Sequence, residues 1–367
     1  LANAATVTPA IVQDAFQRVI NEKYAADIMF LIYQANIRAS QLKTDAMVEL
    51  QNVINATKGD DSRVLQEINI QSYASPDGGY ELNYNLAGNR EKETKKYVEK
   101  QLKKDKITEF GELTAHFTAQ DWEGFQKLVA QSNIQDKDLI LSVLSMYKDP
   151  ETREREIRNL SSIFEQLAET ILPQLRYSRI TASVDVIGKS DSEIKELAAN
   201  DPAKLNVEEL LYAATLTDDN AQREAIYKKA TELYPNDYRT WNNLGLQQYV
   251  AGNYDAAKKS FTKAASLTQN GEPAMNLGLI QLLDGDKSAA LKNFGKATGV
   301  PESGSALGTY YLKQGDVQNA VKAFGNDKNN NAALAQILAK DYSKAKATLA
   351  GIEKPDYMVG TSLVPLF

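Results

Sequence analysis

The feature that most constrains the fold is a short motif that recurs at a nearly fixed interval in the second half of the chain. Asn243-Leu-Gly245 returns as Asn276-Leu-Gly278 after 33 residues and as Ala306-Leu-Gly308 after 30 more. Twelve residues past each glycine stands an alanine, and four residues further a phenylalanine: Ala257 and Phe261, Ala290 and Phe294, Ala320 and Phe324. A period of this length indicates one supersecondary unit per copy, stacked on its neighbours.

The residue types at these positions predict that each copy is a pair of antiparallel helices. Small residues let two helices approach closely, and a large aromatic side chain fills the space that remains beside them. Weaker copies stand on either side of the three clear ones, marked by Tyr227, Ala230 and Pro235 before them and by Leu334-Ala335, Ala345 and Leu349 after them. We therefore expect four or five helix pairs that form an all-α superhelix over residues 204–367, with residues 359–367 breaking the rhythm.

Trp241-Asn-Asn-Leu-Gly245, followed by Tyr249, Gly252, Tyr254, Ala257, Phe261 and Ala264, resembles a tetratricopeptide repeat (TPR). The resemblance covers roughly residues 204–352. It implies a right-handed solenoid whose concave groove holds a peptide or a partner protein, and it implies no reaction. The alternative is a groove that packs against the first domain or acts as a spacer.

Composition removes several classes of site. The chain has no cysteine, which excludes disulfides, thiolate nucleophiles and thiol-ligated metals. His116 is its one histidine, and it stands in an alternating segment that predicts a strand. The net charge of −6 carries no basic surplus for nucleic acid, and no apolar run is long enough to span a membrane. We expect no catalytic residues, no cofactor and no metal site.

The first half of the chain predicts an α+β domain, a mixed sheet with packed helices. Alternating or apolar segments at residues 27–33, 64–73, 113–118 and 177–187 predict four strands, and residues 82–103 predict a long charged helix. A helical insertion is expected at about residues 119–175, before the last strand. Thr8-Pro9 predicts the start of a further helix that carries Ile11, Phe16, Val19 and Ile20 on one side. The predicted domain spans residues 1–190, and residues 191–203 are predicted to be a linker.

Two stretches of this half resemble the OmpA C-terminal-like family, which also includes peptidoglycan-associated lipoproteins and flagellar stator subunits. Asp27-Ile-Met-Phe-Leu-Ile-Tyr33 with Ala35-Asn-Ile-Arg38 is similar to its first strand and turn. Ile70-Gln-Ser-Tyr-Ala-Ser-Pro-Asp-Gly-Gly79 with Asn83, Leu86 and Arg90 is similar to its signature strand, loop and helix, and Arg176-Tyr-Ser-Arg179 with Val184-Asp-Val186 to its last strand. The insertion, with Asp121-Trp-Glu-Gly-Phe125, resembles a region of OmpA-like proteins of the Bacteroides group.

The resemblance implies a site for the diaminopimelate of a cell-wall peptide, in which an aspartate accepts the ammonium and an arginine binds a carboxylate. Ser75 stands where the aspartate is expected, Asp77 is its nearest substitute, and Asn83 and Arg90 are retained. These four residues form the candidate peptidoglycan-binding site. The alternative is a scaffold that kept the fold and lost the ligand, with Arg90 pairing with a carboxylate of its own helix or loop.

Together the two resemblances imply a non-enzymatic protein of the bacterial cell envelope, in the periplasm or associated with the outer membrane, that tethers or assembles partners. The chain begins at Leu1 without a methionine, which fits a processed or truncated chain from which any export signal has been removed. The expected partners are peptidoglycan for the first domain and a protein or peptide for the groove. The alternative function is a pure protein–protein scaffold with a vestigial OmpA-like pocket.

Overall fold

The computed structural model describes residues 2–353. The chain divides into two compact units: one is Gln17–Gly188, here called the α+β unit, and the other combines Leu1–Phe16 with Lys189–Phe367 and is called the repeat unit. Residues 359–367, predicted to break the repeat rhythm, lie outside the described residues.

Four strands of the α+β unit form one mixed sheet: β1 (Val19–Met29), β2 (Arg63–Tyr73), β3 (Glu112–Thr118) and β4 (Tyr177–Ile187). Their order is β1-β4-β2-β3, in which β4 runs antiparallel to β1 and β2, and β3 runs parallel to β2. The strands predicted from alternation at β2, β3 and β4 are confirmed, and His116 lies exposed on β3. Period-two alternation places Ile180, Ala182 and Val184 of β4 on the buried face.

Two helices, α1 (Asp45–Ala56) and α2 (Tyr80–Lys104), pack on that face. Thr44 begins α1, because its side chain accepts a hydrogen bond from the Met47 amide. The long charged helix predicted from the sequence is therefore confirmed as α2, which buries Val98 and Leu102 against the sheet and exposes most of its charged side chains.

The insertion between β3 and β4 has a core of its own. It contains four helices: α3 (Trp122–Gln131), α4 (Lys137–Met146), α5 (Pro150–Asn159) and α6 (Ser161–Thr170). Phe125, Ile140 and Leu167 are fully buried in it. Asp121 and Asp149 cap α3 and α5 by accepting main-chain hydrogen bonds at their N-termini.

Helices follow without interruption by a strand through the described part of the repeat unit beyond Lys189. They are α7 (Asp191–Asn200), α8 (Val207–Thr215), α9 (Asn220–Leu233), α10 (Tyr238–Val250), α11 (Tyr254–Leu267), α12 (Gly271–Leu283), α13 (Lys287–Gly295), α14 (Ser303–Lys313), α15 (Val317–Phe324), α16 (Asn330–Leu338) and α17 (Tyr342–Ala350). Within residues 2–353, α8 to α17 form five consecutive pairs, as the repeat predicts.

The repeated glycines and phenylalanines pack against each other inside each pair. A Cβ atom built on Gly245, Gly278 or Gly308 would lie 2.7 Å from the ring of Phe261, Phe294 or Phe324 respectively. Such a distance is too short for any side chain, so the glycine is what lets the two helices approach. The predicted roles of the small and aromatic residues are confirmed.

Four predictions for residues 1–203 are wrong. The helix after Thr8-Pro9 does not form: residues 8–17 have no regular structure, and Val19 and Ile20 belong to β1. β1 also begins and ends earlier than the predicted strand at residues 27–33. The first 16 residues belong to the repeat unit, and residues 191–203 are no linker, because α7 buries Ile194 in the core of that unit. β-branched residues favour the strand, and side chains of the repeat unit supply the hydrogen bonds that a helix would have made.

Among residues 2–353, no helix combines the length and the apolar character that crossing a bilayer requires.

Candidate peptide-binding groove

Residues 2–16 lie along the first helices of the pairs in the repeat unit. We call the surface that these helices form, α8, α10, α12, α14 and α16, the inner groove. The segment runs against the order of the repeats: Asn3 contacts Asn331 of α16, Ala10 contacts Asn276 of α12, and Ala15 contacts Glu208 of α8. One short 3-10 turn, Ala4–Thr6, interrupts its irregular course. The groove thus holds a stretch of polypeptide, and that stretch belongs to the same chain.

Two asparagines of the groove each bind both main-chain groups of one residue in the segment. Asn276 accepts from the Ala10 amide at 2.7 Å and donates to the Ala10 carbonyl at 2.8 Å. Asn243 does the same for Val12, at 3.0 Å and 2.9 Å. An amide side chain carries one acceptor and one donor at the right separation for this contact. The contact recognises main chain, and it is independent of the side chain that the bound residue carries.

A third asparagine repeats the arrangement at the other end of the segment. Asn331 donates to the Asn3 carbonyl at 3.0 Å and accepts from the Asn3 amide at 3.4 Å. Between these points Tyr249 donates from its hydroxyl to the Ala4 carbonyl at 2.6 Å, and burial raises the pKa of Tyr249 well above its ordinary value. The hydroxyl is therefore a neutral donor at every physiological pH.

Asn242 connects the two central asparagines. It donates to the Ala10 carbonyl at 2.9 Å and to Asn243 Oδ1 at 3.2 Å, and it accepts from Asn276 at 2.9 Å. Asn242 and Asn276 are fully buried and Asn243 is almost so. A buried amide without hydrogen-bond partners is typically destabilising by about 1 to 3 kcal/mol, and by several kcal/mol at most. The network therefore fixes each asparagine side chain in the orientation that faces the segment.

A carboxylate holds the far end of the segment. Glu208 accepts from the Ala15 amide at 2.6 Å, and Arg239 donates to both oxygens of Glu208, at 3.0 Å and 2.6 Å. The hydrogen bonds from Arg239 lower the pKa of Glu208. Glu208 is therefore ionised at neutral pH and positioned as an acceptor before the segment binds.

Small side chains of the segment fill the groove. Ala4 and Ala10 have no exposed surface and Val7 is 5% exposed, and all three pack in one cluster with Tyr249, Phe261 and Met275. At the end of the segment the ring of Phe16 stacks on Tyr212, with ring centroids 4.2 Å apart. Among the residues between them, Thr6, Thr8 and Gln13 are exposed and Pro9 is buried. The groove thus restricts side-chain size at residues 4, 7 and 10.

The four residues predicted to bind peptidoglycan lie in the α+β unit and are buried. Ser75 is 5%, Asp77 8% and Asn83 1% exposed, and Arg90 has no exposed surface. Ser75 donates to Asp77, and Arg176 of the segment before β4 donates to Ser75 Oγ at 3.1 Å and to Asp77 Oδ2 at 3.2 Å. Asn83 donates to the Gly78 carbonyl at 3.1 Å. The loop thus brings Ser75 and Asp77 together as expected, and Arg176 takes up their hydrogen-bond acceptors.

Arg90 is held by main chain. Its three nitrogens donate to three carbonyl oxygens of its own unit: Gln34 at 2.9 Å, Tyr73 at 2.9 Å and Leu31 at 3.2 Å. Its guanidinium also lies over the ring of Phe30, 5.1 Å from the centroid. Burial, with the charge of Arg176 adding to it, lowers the pKa of Arg90 to about 10. Arg90 remains charged at neutral pH and joins the turn after β1 to the end of β2.

Sequence reasoning missed the residues of the inner groove. Asn243, Asn276 and Tyr249 enter the prediction only as positions of the repeat, and no binding role is predicted for Glu208 or Asn331. One signal was present: Asn243 and Asn276 occupy the same repeat position, where the next copy has Ala306. An amide at a helix position that the packing of the array buries requires a hydrogen-bonding partner, and the array itself offers few.

Comparisons with known proteins agree with the helical repeat. Residues 238–270 match the family model of the tetratricopeptide repeat. A search of curated proteins found no significant match. Three solved structures show the range of similarity. A tetratricopeptide repeat protein from Parabacteroides merdae is 14% identical over 72% of this chain and 96% of that one, with a TM-score of 0.32. YrrB, described as a TPR protein with an unusual peptide-binding site, is 20% identical over 48% and 99%, with a TM-score of 0.32.

The third, the Cut9–Hcn1 hetero-tetramer of the APC/C, is 18% identical over 44% of this chain and 35% of that one, with a TM-score of 0.37, so this chain spans about a third of it. Identities and scores of this size transfer no partner and no function. The matched residues 238–270 coincide with α10, α11 and the turns beside them, which include Asn242 and Asn243 of the groove. This helix pair is a tetratricopeptide repeat.

Proposed function

We propose that the protein is a non-enzymatic scaffold whose inner groove binds an extended segment of a partner protein. The observation that carries the proposal is the paired contact of Asn243 and Asn276 with the amide and carbonyl of single residues in residues 2–16. Main-chain contacts supply affinity for an extended segment, and the side-chain positions between them supply specificity. A fold of this kind suits assembly of proteins, because the buried asparagines Asn243, Asn276 and Asn331 hold polypeptide main chain.

A displayed library of random peptides, selected against the full chain at high peptide concentration, tests this function. We expect enriched peptides that bind the chain and lose affinity by about tenfold or more when Asn243 and Asn276 are both replaced by alanine. Asn319→Ala is the matched control, because Asn319 is exposed and bonds only within the first turn of α15. If no peptide is enriched, or if the double variant binds as well as the control, the groove is not a peptide site.

We further propose that this scaffold works at the bacterial cell envelope, in the periplasm or at the outer membrane. The support is the resemblance of residues 27–38, 70–90 and 176–186 to the OmpA C-terminal-like family. Localisation of the tagged protein in fractionated cells of its source tests the proposal, and recovery with the cytoplasmic fraction contradicts it.

For the loop at Ser75 and Asp77 we propose a structural role, so that the OmpA-like pocket is vestigial. The support is the pairing of both residues with Arg176, which occupies the acceptors that a wall-peptide ammonium would need. The competing function is a wall tether through Ser75, Asp77, Asn83 and Arg90. Co-sedimentation of the full chain with diaminopimelate-type peptidoglycan separates the two. The structural role predicts no retention, whereas retention that Asp77→Asn abolishes would establish the tether.

A further inference from the structure

The inner groove of this protein is filled by the protein's own residues 2–16. Ala10 and Val12 have both main-chain groups bound by groove asparagines, and Ala4 and Ala10 are fully buried. A partner segment that used the same asparagines would have to take the place of residues 2–16. Residues 2–16 and a partner segment would therefore compete for one surface.

We propose that residues 2–16 are an intramolecular competitor for the partner, and that the partner presents an extended segment of the same chemistry. That chemistry is a small residue, then an apolar residue, then a small residue at intervals of three, as in Ala4, Val7 and Ala10. The proposal deepens the proposed function and rests on it. The resting protein is closed, and a partner binds when residues 2–16 leave the groove.

The array holds together through contacts that residues 2–16 do not make. Each pair packs its own glycine against its own phenylalanine, as Gly278 packs against Phe294. The segment forms no helix or strand with the array, and its principal anchors are side chains of the groove. Its buried side chains are also small, so the apolar surface that it contributes is limited. Departure of the segment removes its hydrogen bonds, the buried methyl groups of Ala4, Val7 and Ala10 and the stacking of Phe16 on Tyr212, and it leaves the packing inside the helix pairs intact.

The pattern of exposure defines the partner. Ala4, Val7 and Ala10 face the core cluster of the groove, and a larger residue at the alanine positions would overlap with buried side chains. Thr6, Thr8 and Gln13 are exposed, so residues at these positions are free to vary. The asparagine contacts themselves use only main-chain atoms at positions 10 and 12. Specificity therefore lies in the spacing of small residues.

Tethering makes the internal segment a strong competitor. A segment on a short connection acts at an effective concentration on the order of 1 mM. The apparent affinity of any free peptide is reduced by the fraction of molecules whose groove is open. A variant that expels residues 2–16 should therefore bind a free peptide much more tightly than the unmodified protein.

The test uses a fluorescein-labelled synthetic peptide with the sequence of residues 2–16 and three full-length proteins. Ala10→Glu places a carboxylate in a fully buried position and expels the internal segment, while Thr8→Glu adds the same charge at an exposed position and leaves it bound. By fluorescence anisotropy we expect Ala10→Glu to bind the peptide at least about tenfold more tightly than the unmodified protein and Thr8→Glu do. Adding Asn276→Ala to Ala10→Glu should remove most of that gain.

Equal binding of the peptide by all three proteins would overturn the proposal, because the internal segment would not block the groove. If Ala10→Glu fails to bind the peptide while peptides from the displayed library still bind in an asparagine-dependent way, the competitor proposal fails and the proposed function stands. If neither binds, both fail.

A second measurement needs no substitution, in case Ala10→Glu does not fold. Hydrogen exchange of residues 2–16 is followed in the unmodified protein with and without about 1 mM of the unlabelled peptide, which matches the effective concentration of the tethered segment. Competition predicts faster exchange of the protein's own Ala10 and Val12 amides when the peptide is present. Unchanged exchange would show that residues 2–16 are a permanent part of the fold, and the proposal would be wrong.

Discussion

The α+β unit and the repeat unit each bury a polar network, and the two networks differ in what satisfies them. In the α+β unit, Arg90 donates to carbonyls of the turn after β1 and of β2, and Arg176 holds Asp77. Every partner is fixed in the fold of that unit. In the repeat unit, Asn243 and Asn276 hold main chain of a segment that has little secondary structure of its own.

The difference separates a structural site from a binding site. Both networks contain charged or amide side chains with little or no exposure, so burial alone does not distinguish them. What distinguishes them is whether the partner can leave without unfolding its surroundings. The carbonyls bound by Arg90 belong to the sheet and its turns, whereas the main chain bound by Asn276 lies in a segment that forms neither strand nor α-helix.

Replacing Arg90 by alanine gives the largest expected effect. Three carbonyls lose a charged donor whose side chain is buried, and hydrogen bonds to charged groups contribute about 1.5 to 3 kcal/mol each. We therefore expect the α+β unit to lose about 3 kcal/mol or more. Urea unfolding followed by Trp122 fluorescence, in a Trp241→Phe background, measures the loss for this unit.

Arg179→Ala is the matched control for Arg90→Ala. Arg179 pairs with Asp27 on the sheet, and its side chain is about half exposed, so we expect less than about 1 kcal/mol. Equal losses for the two variants would contradict the structural role of Arg90.

Asn276→Ala is expected to act on the repeat unit by a smaller amount. It leaves the Ala10 amide without its acceptor and removes one of two donors to the Ala10 carbonyl, which corresponds to about 2 kcal/mol. Trp241 fluorescence in a Trp122→Phe background reports on this unit. The control Asn319→Ala should change stability by no more than about 0.5 kcal/mol. A loss as large as that of Arg90→Ala would show that the array depends on the segment.

Gly278→Ala tests whether the array holds together by its own packing. The added Cβ lies 2.7 Å from the Phe294 ring, and overpacking of this kind is destabilising by about 1 to 3 kcal/mol. Gly295, at the end of α13, has open space at the same place, so Gly295→Ala should be neutral or gain up to about 1 kcal/mol from helix propensity. The measurement is again urea unfolding by Trp241 fluorescence. Unfolding of both variants at the same urea concentration would contradict the close helix approach.

Acidification should give the smallest effect, confined to the end of the segment near Ala15. The pKa of Glu208 is lower in the folded protein than its ordinary value of 4.5, chiefly because Arg239 donates to it. The contribution of Glu208 to stability is therefore complete above about pH 4.5 and is lost as the pH falls through the lower pKa of the folded state. The Ala15 amide resonance in an NMR titration should shift in that range, and it should not shift in Glu208→Gln.

Local chemistry made much of the fold predictable. Apolar and polar residues alternate along β2 and β4 because one face of the sheet is buried. Helix α2 has a stripe of apolar residues along one side and lysines in its last turn. The repeat was predictable because Gly245, Gly278 and Gly308 each accommodate a phenylalanine of their own pair, and that requirement leaves a fixed spacing in the sequence. In each case the residues that determine the structure are close in sequence or recur.

The site was less predictable because its partners are distant in sequence. Thr8-Pro9 is a sound helix start by local rules, and what prevents the helix is Asn243 and Asn276, more than 200 residues away. In the same way, the loop at Ser75 and Asp77 carries the acceptors that are expected of an open ammonium site. Arg176, about 100 residues further on, satisfies it. No local pattern contains either contact.

Asparagine side chains hold residues 2–16 in the inner groove. Residue-resolved hydrogen exchange of the full chain measures this directly. Exchange of the Ala10 and Val12 amides should be slow in the unmodified protein, and Asn276→Ala should accelerate Ala10 more than Val12, because Asn243 still binds Val12. Exchange at the rate of an unstructured peptide throughout residues 2–16 of the unmodified protein would contradict the account.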